Sequence, residues 1–184
     1  MIPASETFND TWPFEPHFTN AAGFRQHYVD EGSSEGELIL CLHGEPTWGY
    51  LYRNMIGPLA ENFRVVVPDH MGFGKSETPQ DRVYTLQTHL ENLERFVADL
   101  DLSAITIVCQ DWGGPIAGAF TARNPHLVKR LFLMNTVLGY GGGQSAGGKT
   151  PWFRWIEKHE DAGTLDGILG ELGSTVLSVM KIMG

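Results

Sequence analysis

Cys109-Gln110-Asp111-Trp112-Gly113-Gly114 stands near the middle of the chain, and its flanks decide how it reads. Before it runs Ala104-Ile105-Thr106-Ile107-Val108, a short β-branched apolar run that predicts a buried strand. After it runs Pro115-Ile116-Ala117-Gly118-Ala119-Phe120-Thr121-Ala122-Arg123, which predicts a helix with proline near its first turn. The six residues therefore form a sharp strand-to-helix turn crowded with small side chains. Its apex is an acid, Asp111.

Working outward, the same alternation recurs. Leu38-Ile39-Leu40-Cys41-Leu42 is continuously apolar, as expected for a strand covered on both faces, and runs into His43-Gly44-Glu45-Pro46-Thr47-Trp48. A helix follows from about Leu51 to Glu61, then a strand at Arg64–Val67, then the loop Pro68-Asp69-His70-Met71-Gly72-Phe73-Gly74-Lys75-Ser76. Leu86, Leu90, Leu93, Val97 and Leu100 recur at steps of three and four and mark an amphipathic helix. Asn124-Pro125 closes the helix after Asp111, and Leu131-Phe132-Leu133-Met134 reads as one more buried strand. Upstream, Arg25–Asp30 reads as an edge strand, and residues 1–24 as a segment wrapping the surface. Strands alternating with helices imply an α/β fold with a mostly parallel, doubly wound sheet.

The texture changes after Leu138. Gly139 to Gly148 is linker-like, and two helices are expected beyond it, at Trp152–Glu160 and Leu165–Met183, as the beginning of a helical cap. The expected division is residues 1–138 as the N-terminal part of the core and residues 139–184 as linker and truncated cap. No further βα unit follows the cap helices, so the C-terminal part of the fold is expected to be absent and the chain an N-terminal portion of a longer protein.

Composition narrows the function classes. The 184 residues suffice for one ordinary domain, and 42% hydrophobic with 19% charged residues is globular. With 13 basic against 22 acidic residues the net charge is −9, which argues against a nucleic-acid partner. No apolar run approaches a membrane span, and Met1-Ile2-Pro3-Ala4-Ser5-Glu6 lacks the features of a signal peptide. Cys41 and Cys109 fall in predicted strands as core thiols, which suits a reduced, cytoplasmic protein. Gly143-Gln144-Ser145-Ala146-Gly147-Gly148-Lys149-Thr150 matches G-x-x-x-x-G-K-[ST] as a string. It does not leave a strand directly, and Pro151 follows at once, so no phosphate cradle is expected. No cofactor and no metal are expected.

An acid on such a turn reads either as a helix N-cap or as a nucleophile. The buried strand before it, the small residues after it and the second loop at His43-Gly44-Glu45-Pro46 favour the nucleophile. The turn resembles that of the α/β-hydrolases, in which Ser usually occupies the apex. In that fold one oxyanion donor is the N–H after the nucleophile and another comes from the loop after an earlier strand, here Trp112 and Glu45. A carboxylate that attacks an sp³ carbon forms an ester, which water can then hydrolyse at the former carboxyl carbon. A Ser alkoxide would leave an ether. Asp111 therefore points toward haloalkanes or epoxides.

His43-Gly44-Glu45-Pro46-Thr47-Trp48-Gly49-Tyr50-Leu51-Tyr52-Arg53 together with Gln110-Asp111-Trp112-Gly113-Gly114 resembles the haloalkane dehalogenase family, as does Asp69-His70-Met71-Gly72-Phe73-Gly74-Lys75-Ser76. The resemblance covers roughly residues 25 to 138, and the cap start loosely. It implies that Asp111 is the nucleophile, that the Trp112 indole N–H binds the departing halide, and that a cap Trp is a second halide donor. Trp152 and Trp155 are the candidates for that donor, against a simpler role in packing a helix face. Some members carry the triad acid where this sequence has Asn135; the resemblance then places the acid, and the catalytic His, beyond Gly184. Glu45 and Asn135 would position the hydrolytic water. The implied partners are a small apolar halogenated substrate, water and the halide product, with the protein a monomer. An epoxide hydrolase, which would need cap tyrosines, and a catalytically incomplete fragment are the alternatives. Tyr140 is the one Tyr after the turn.

Overall fold

The computed structural model describes residues 2–137, 151–165 and 167, without the side chains of 151–153. It divides the chain into two compact units, Met1–Gly139 and Tyr140–Gly184. In the first, the elements run β1 (His17–Thr19), β2 (Gln26–Glu31), β3 (Glu37–Leu42), a 3₁₀ turn (Gly49–Tyr52), α1 (Arg53–Ala60), β4 (Phe63–Pro68), α2 (Leu86–Asp99), β5 (Ile105–Gln110), α3 (Gly113–Arg123) and β6 (Val128–Met134). In the second, the described residues hold one helix, α4 (Pro151–Asp161). The segment expected as a second cap helix lies largely outside the described residues.

The strands form one sheet in the order β1-β2-β4-β3-β5-β6. β4, β3, β5 and β6 are parallel, and β1 and β2 are antiparallel additions. Period-two alternation sends Leu38, Leu40 and Leu42 of β3 to one face, and Ile39 and Cys41 to the other. The first face is closed by Leu90, Leu93, Phe96 and Val97 of α2 with Ile116, Ala117 and Phe120 of α3. The second is closed by Ile56 of α1, Tyr52 and Trp12. This two-sided cover follows from the topology. The chain steps from β3 to β4 in one direction, then back across β3 to β5 and β6, so right-handed crossovers put α1 on one face and α2 and α3 on the other.

Two sequence expectations change. β2 is not an edge strand: the three-residue β1 covers its outer side, with His17 opposite Tyr28 and Thr19 opposite Gln26. A strand that short carries no readable periodicity, and Trp12 just before it is fully buried rather than on the surface. β6 is not buried. It pairs only with β5 among the described residues, and its Phe132 and Leu133 are 55% and 47% exposed. An apolar run reports what a strand would cover itself with, not whether a neighbour is there. Cys41 and Cys109 are both buried and free.

Candidate active site

In open α/β sheets, ligands gather beyond the carboxyl ends of the strands where the strand order reverses direction. Here that point lies between β3 and β5, paired in parallel with Leu42 opposite Cys109. The loop after β3 and the turn after β5 therefore emerge side by side. This register brings Glu45 and Asp111 together.

Asp111 has φ +50°, the left-handed region that an L-residue enters at a cost. Its main chain is held there on both sides. Its N–H donates to the Asn135 carbonyl at 3.3 Å, and its own carbonyl accepts from the Gly114 N–H at 3.0 Å and from the Thr136 hydroxyl. A Cβ on Gly114 would lie 1.9 Å from Thr136 Oγ1, so glycine is required where the turn meets the end of β6. Trp112, not Asp111, occupies the N-cap of α3, with no side-chain cap, so the Asp111 carboxylate is not engaged in capping. Instead Oδ1 accepts from the Glu45 N–H at 2.9 Å. The close approach depends on Gly44, whose Cβ would come within 2.4 Å of Asp111 Cβ and Oδ1 and 2.6 Å of the Trp112 nitrogen.

The loop that presents Glu45 is held from beneath. The Gly44 carbonyl accepts from His43 Nδ1 at 3.1 Å, from the Thr47 N–H at 3.0 Å and from Thr47 Oγ1 at 2.9 Å. At its far end the Gly49 N–H donates to Asp69 Oδ1 at 2.8 Å. Asp69 and His27 are both fully buried and 2.9 Å apart, and Asp69 Oδ2 also accepts from the Lys75 N–H at 2.8 Å. Lys75 in turn donates from Nζ to the Ala4 and Glu6 carbonyls, each at 2.8 Å, tying the N-terminal arm to this loop. Burial draws the Lys75 pKa below its ordinary value.

A cavity of about 340 Å³ lies over this corner, lined by Glu45, Trp112, His70, His89, Phe73 and Ile116 among others. Its upper margin exposes Tyr84, Leu86 and the Trp112 side chain, the last 42% accessible. Partial withdrawal from water, followed by the charge of Asp111, raises the Glu45 carboxyl pKa. Burial lowers His43 and His89, and burial together with the neighbouring His43 and His89 takes His70 well below the ordinary histidine value. The lining thus combines the His70 and His89 rings, both held toward the neutral form, with one carboxyl, that of Glu45.

The structure brings Glu45, Asp111 and the Trp112 main chain to one point. Asn135 is adjacent through its carbonyl, its side chain exposed. Trp155 sits half-buried on α4 in the second unit, its ring 4.6 Å from that of His159. The Trp152 side chain, Tyr140 and the segment from Gly143 to Thr150 lie outside the described residues. Asp69 and His43 lie within sequence motifs that by themselves assign neither a role. The available signal was a carboxylate between a buried strand and a glycine-rich loop, a position where an unpaired charge is costly. Among the described residues no group of three or more His, Cys, Asp or Glu could hold a metal, and no helix is long and apolar enough to cross a membrane.

Comparison with known proteins agrees with this geometry. A family model described as alpha/beta hydrolase fold matches residues 37–165. A haloalkane dehalogenase from Psychrobacter cryohalolentis is 40% identical over 152 residues, 79% of this chain and 50% of that protein. A cis-3-alkyl-4-alkyloxetan-2-one decarboxylase from Shewanella oneidensis is 39% identical over 127 residues, 67% of this chain and 39% of that protein. Among solved structures, the tetrameric haloalkane dehalogenase DpaA from Paraglaciecola agarilytica NO2 superposes with a TM-score of 0.72 at 35% identity, covering 88% of this chain and 57% of that one. The chain thus spans at most about half the length of these curated relatives. With the parallel sheet, the left-handed Asp111 turn and the neighbouring loop after β3, the match over 37–165 establishes that the chain belongs to the α/β-hydrolase fold family.

Proposed function

We propose that the protein cleaves carbon–halogen bonds of small haloalkanes, with Asp111 as nucleophile. The observation that carries the reading is the single hydrogen bond from the Glu45 N–H to Asp111 Oδ1. Among the described residues it divides the carboxylate into a held oxygen, Oδ1, and one without a hydrogen-bond donor, Oδ2. Oδ2 attacks the carbon that bears the halogen; the carbon–oxygen bond forms as the carbon–halogen bond breaks, and the halide leaves with its electron pair. In this reading the halide is received by the indole N–H of Trp112, a residue that lines the cavity. Oδ1 becomes the ester carbonyl oxygen while still facing the Glu45 N–H. When water adds to that carbonyl carbon and gives up a proton, negative charge develops on the oxygen already hydrogen-bonded, so the donor is preorganised for the second step; the bond from that carbon to the alkoxy oxygen then breaks, and the alcohol leaves with the proton. The Trp112 N–H is the second donor in this reading, and Glu45 with Asn135 positions the water. Residues 1–138 serve as core and 139–184 as linker and cap, with Trp152 or Trp155 as the further halide donor.

A second reading has the same carboxylate opening a strained oxygen ring, in an epoxide or an oxetan-2-one. The 39% identity to an oxetan-2-one decarboxylase keeps it in view. Incubating the purified chain separately with 1-bromobutane, a terminal epoxide and a cis-3,4-dialkyloxetan-2-one separates the readings. The expected result is bromide release with an alkyl ester mapped to Asp111 by peptide mass spectrometry, or the corresponding alcohol. A folded chain that releases no bromide, or that reacts only with a ring substrate, overturns the dehalogenase reading.

A further inference from the structure

Glu45 presents its N–H to Asp111 only because the Gly44–Glu45 peptide is turned one way, and that peptide has its carbonyl on Gly44. The carbonyl is held by His43 Nδ1 at 3.1 Å, with the Thr47 N–H and Oγ1 as additional donors. Which nitrogen of His43 carries the proton is set by its other side. The main-chain N–H of His70 points at His43 Nε2, 2.9 Å away. Nε2 must therefore be the bare acceptor, so Nδ1 bears the hydrogen and donates. His70 closes the pair in return by donating from Nε2 to the His43 carbonyl at 3.0 Å. The two rings lie 4.4 Å apart, and the Phe73 ring meets His43 edge-on at 5.5 Å.

We infer that His43 is a positioning residue for the proposed reaction, its Nδ1–H tautomer, imposed by the His70 main chain, fixing the orientation of the Gly44–Glu45 peptide and so the aim of the Glu45 N–H at Asp111 Oδ1. The relay runs through main chain at both ends, from the His70 N–H to the Glu45 N–H, with one buried imidazole between. An imidazolium would set an Nε2–H against the His70 N–H, two donors facing each other. Complete burial holds His43 neutral against the opposing charges of Asp69 and Asp111. The inference rests on the reading of Asp111 as nucleophile, yet its readout needs no turnover.

The test is NMR on the ¹⁵N-labelled chain. In the unsubstituted protein at neutral pH, His43 should show a protonated Nδ1 and a bare Nε2; an Nε2–H tautomer or an imidazolium overturns the inference and needs no variant to do so. In His43→Leu, the Glu45 amide proton should move upfield and its hydrogen exchange should quicken by about tenfold or more. In His43→Asn, which keeps a short amide donor for the Gly44 carbonyl, most of that change should be recovered. A folded His43→Leu chain with an unaltered Glu45 amide, or an Asn variant no better than the Leu variant, assigns His43 to packing alone and sinks the positioning role. If the Leu variant does not fold, the tautomer and the Asn variant's Glu45 amide decide. A Glu45 amide that behaves as expected in a chain that releases no bromide counts against the reading of Asp111, and leaves standing only that His43 orients the Gly44–Glu45 peptide.

Discussion

The Glu45 main-chain N–H lies 2.9 Å from Asp111 Oδ1, although 66 positions separate the two residues in sequence. Parallel pairing of β3 with β5 brings them together, and the empty side of Gly44 lets them touch. The hydrogen bond is the hinge of the proposed chemistry, and it exposes the protein to attack at several defined places.

Asp111 is held at φ +50°, so removing its side chain has two opposed effects. Asp111→Gly relieves backbone strain and is expected to raise unfolding stability by up to about 1 kcal/mol. Under the proposed mechanism the same change is expected to abolish ester formation. Asp111→Asn, tolerated in this backbone region, should keep stability near that of the parent and also form no ester. Chemical denaturation alongside peptide mass spectrometry checks both; an Asp111→Gly chain less stable than Asp111→Asn would show that strain is not the dominant local term.

Gly44→Ala places a methyl carbon where Asp111 Cβ and Oδ1 lie 2.4 Å away and the Trp112 nitrogen 2.6 Å away. All three atoms belong to the turn, and two of them, Asp111 Cβ and the Trp112 nitrogen, cannot swing aside as a side-chain end can, so the loop must move. The expected cost is about 1–3 kcal/mol of stability. Loss of the aligned donor should slow turnover of the Asp111 ester by about 10²-fold or more, as for other oxyanion-hole deletions. Rapid-quench measurement of ester formation and decay tests it; unchanged rates would mean that the Glu45 N–H does not act on the reacting carboxyl.

Asp69 should matter for stability and for the loop that presents Glu45. Its carboxylate takes hydrogen bonds from the Gly49 N–H, the Lys75 N–H and His27 Nδ1, all buried. Asp69→Ala leaves those three donors without a partner and should cost about 3 kcal/mol or more, at about 1–3 kcal/mol for each buried group left unsatisfied. Thermal and urea unfolding measure it. A loss below about 1 kcal/mol would be the surface salt-bridge value and would contradict the burial.

Stability should fall as pH drops below the ordinary histidine value of 6.5. His43 and His70 are buried and held neutral, with folded pKa values below that of the unfolded chain. In that interval the unfolded state binds more protons, so unfolding free energy rises with pH. Each histidine contributes a limiting slope of about 1.4 kcal/mol per pH unit. Glu45 has the opposite sign, because its raised folded pKa makes the folded state the better proton binder just above the ordinary carboxyl value of 4.5. Urea titrations from pH 7.5 to 5 should therefore show falling midpoints. His43→Asn should flatten that dependence; a flat profile in the parent chain would contradict the neutral histidine cluster.

Much of this was legible locally. The strand at Ile105–Gln110 is marked by its β-branched run, the helix at Gly113–Arg123 by the proline near its first turn and the helix at Leu86–Asp99 by its period, and all three appear close to where the sequence puts them. What failed to read was neighbourhood. β2 looked like an edge because β1 is only three residues long, and β6 looked buried because Leu131-Phe132-Leu133-Met134 is apolar. The roles of Asp69 and His43 were hidden for the same reason. A buried carboxylate and a buried imidazole declare themselves only when their partners, at Gly49, Lys75 and His27 or at His70, can be placed.

The sequence by itself determined the α/β class, the acid at the apex of a strand-to-helix turn, and the glycine-bearing loop that serves it, because these depend on periodicity and on which residue types a turn tolerates. Only the tertiary structure decided that β3 lies beside β5, that Leu42 stands opposite Cys109, and that the Glu45 N–H faces Asp111 Oδ1. Strand order and register follow from which faces the crossover helices can cover together, a property of the whole sheet that no window of sequence contains. The acid was written in the chain, but its hydrogen-bond donor was chosen by the packing.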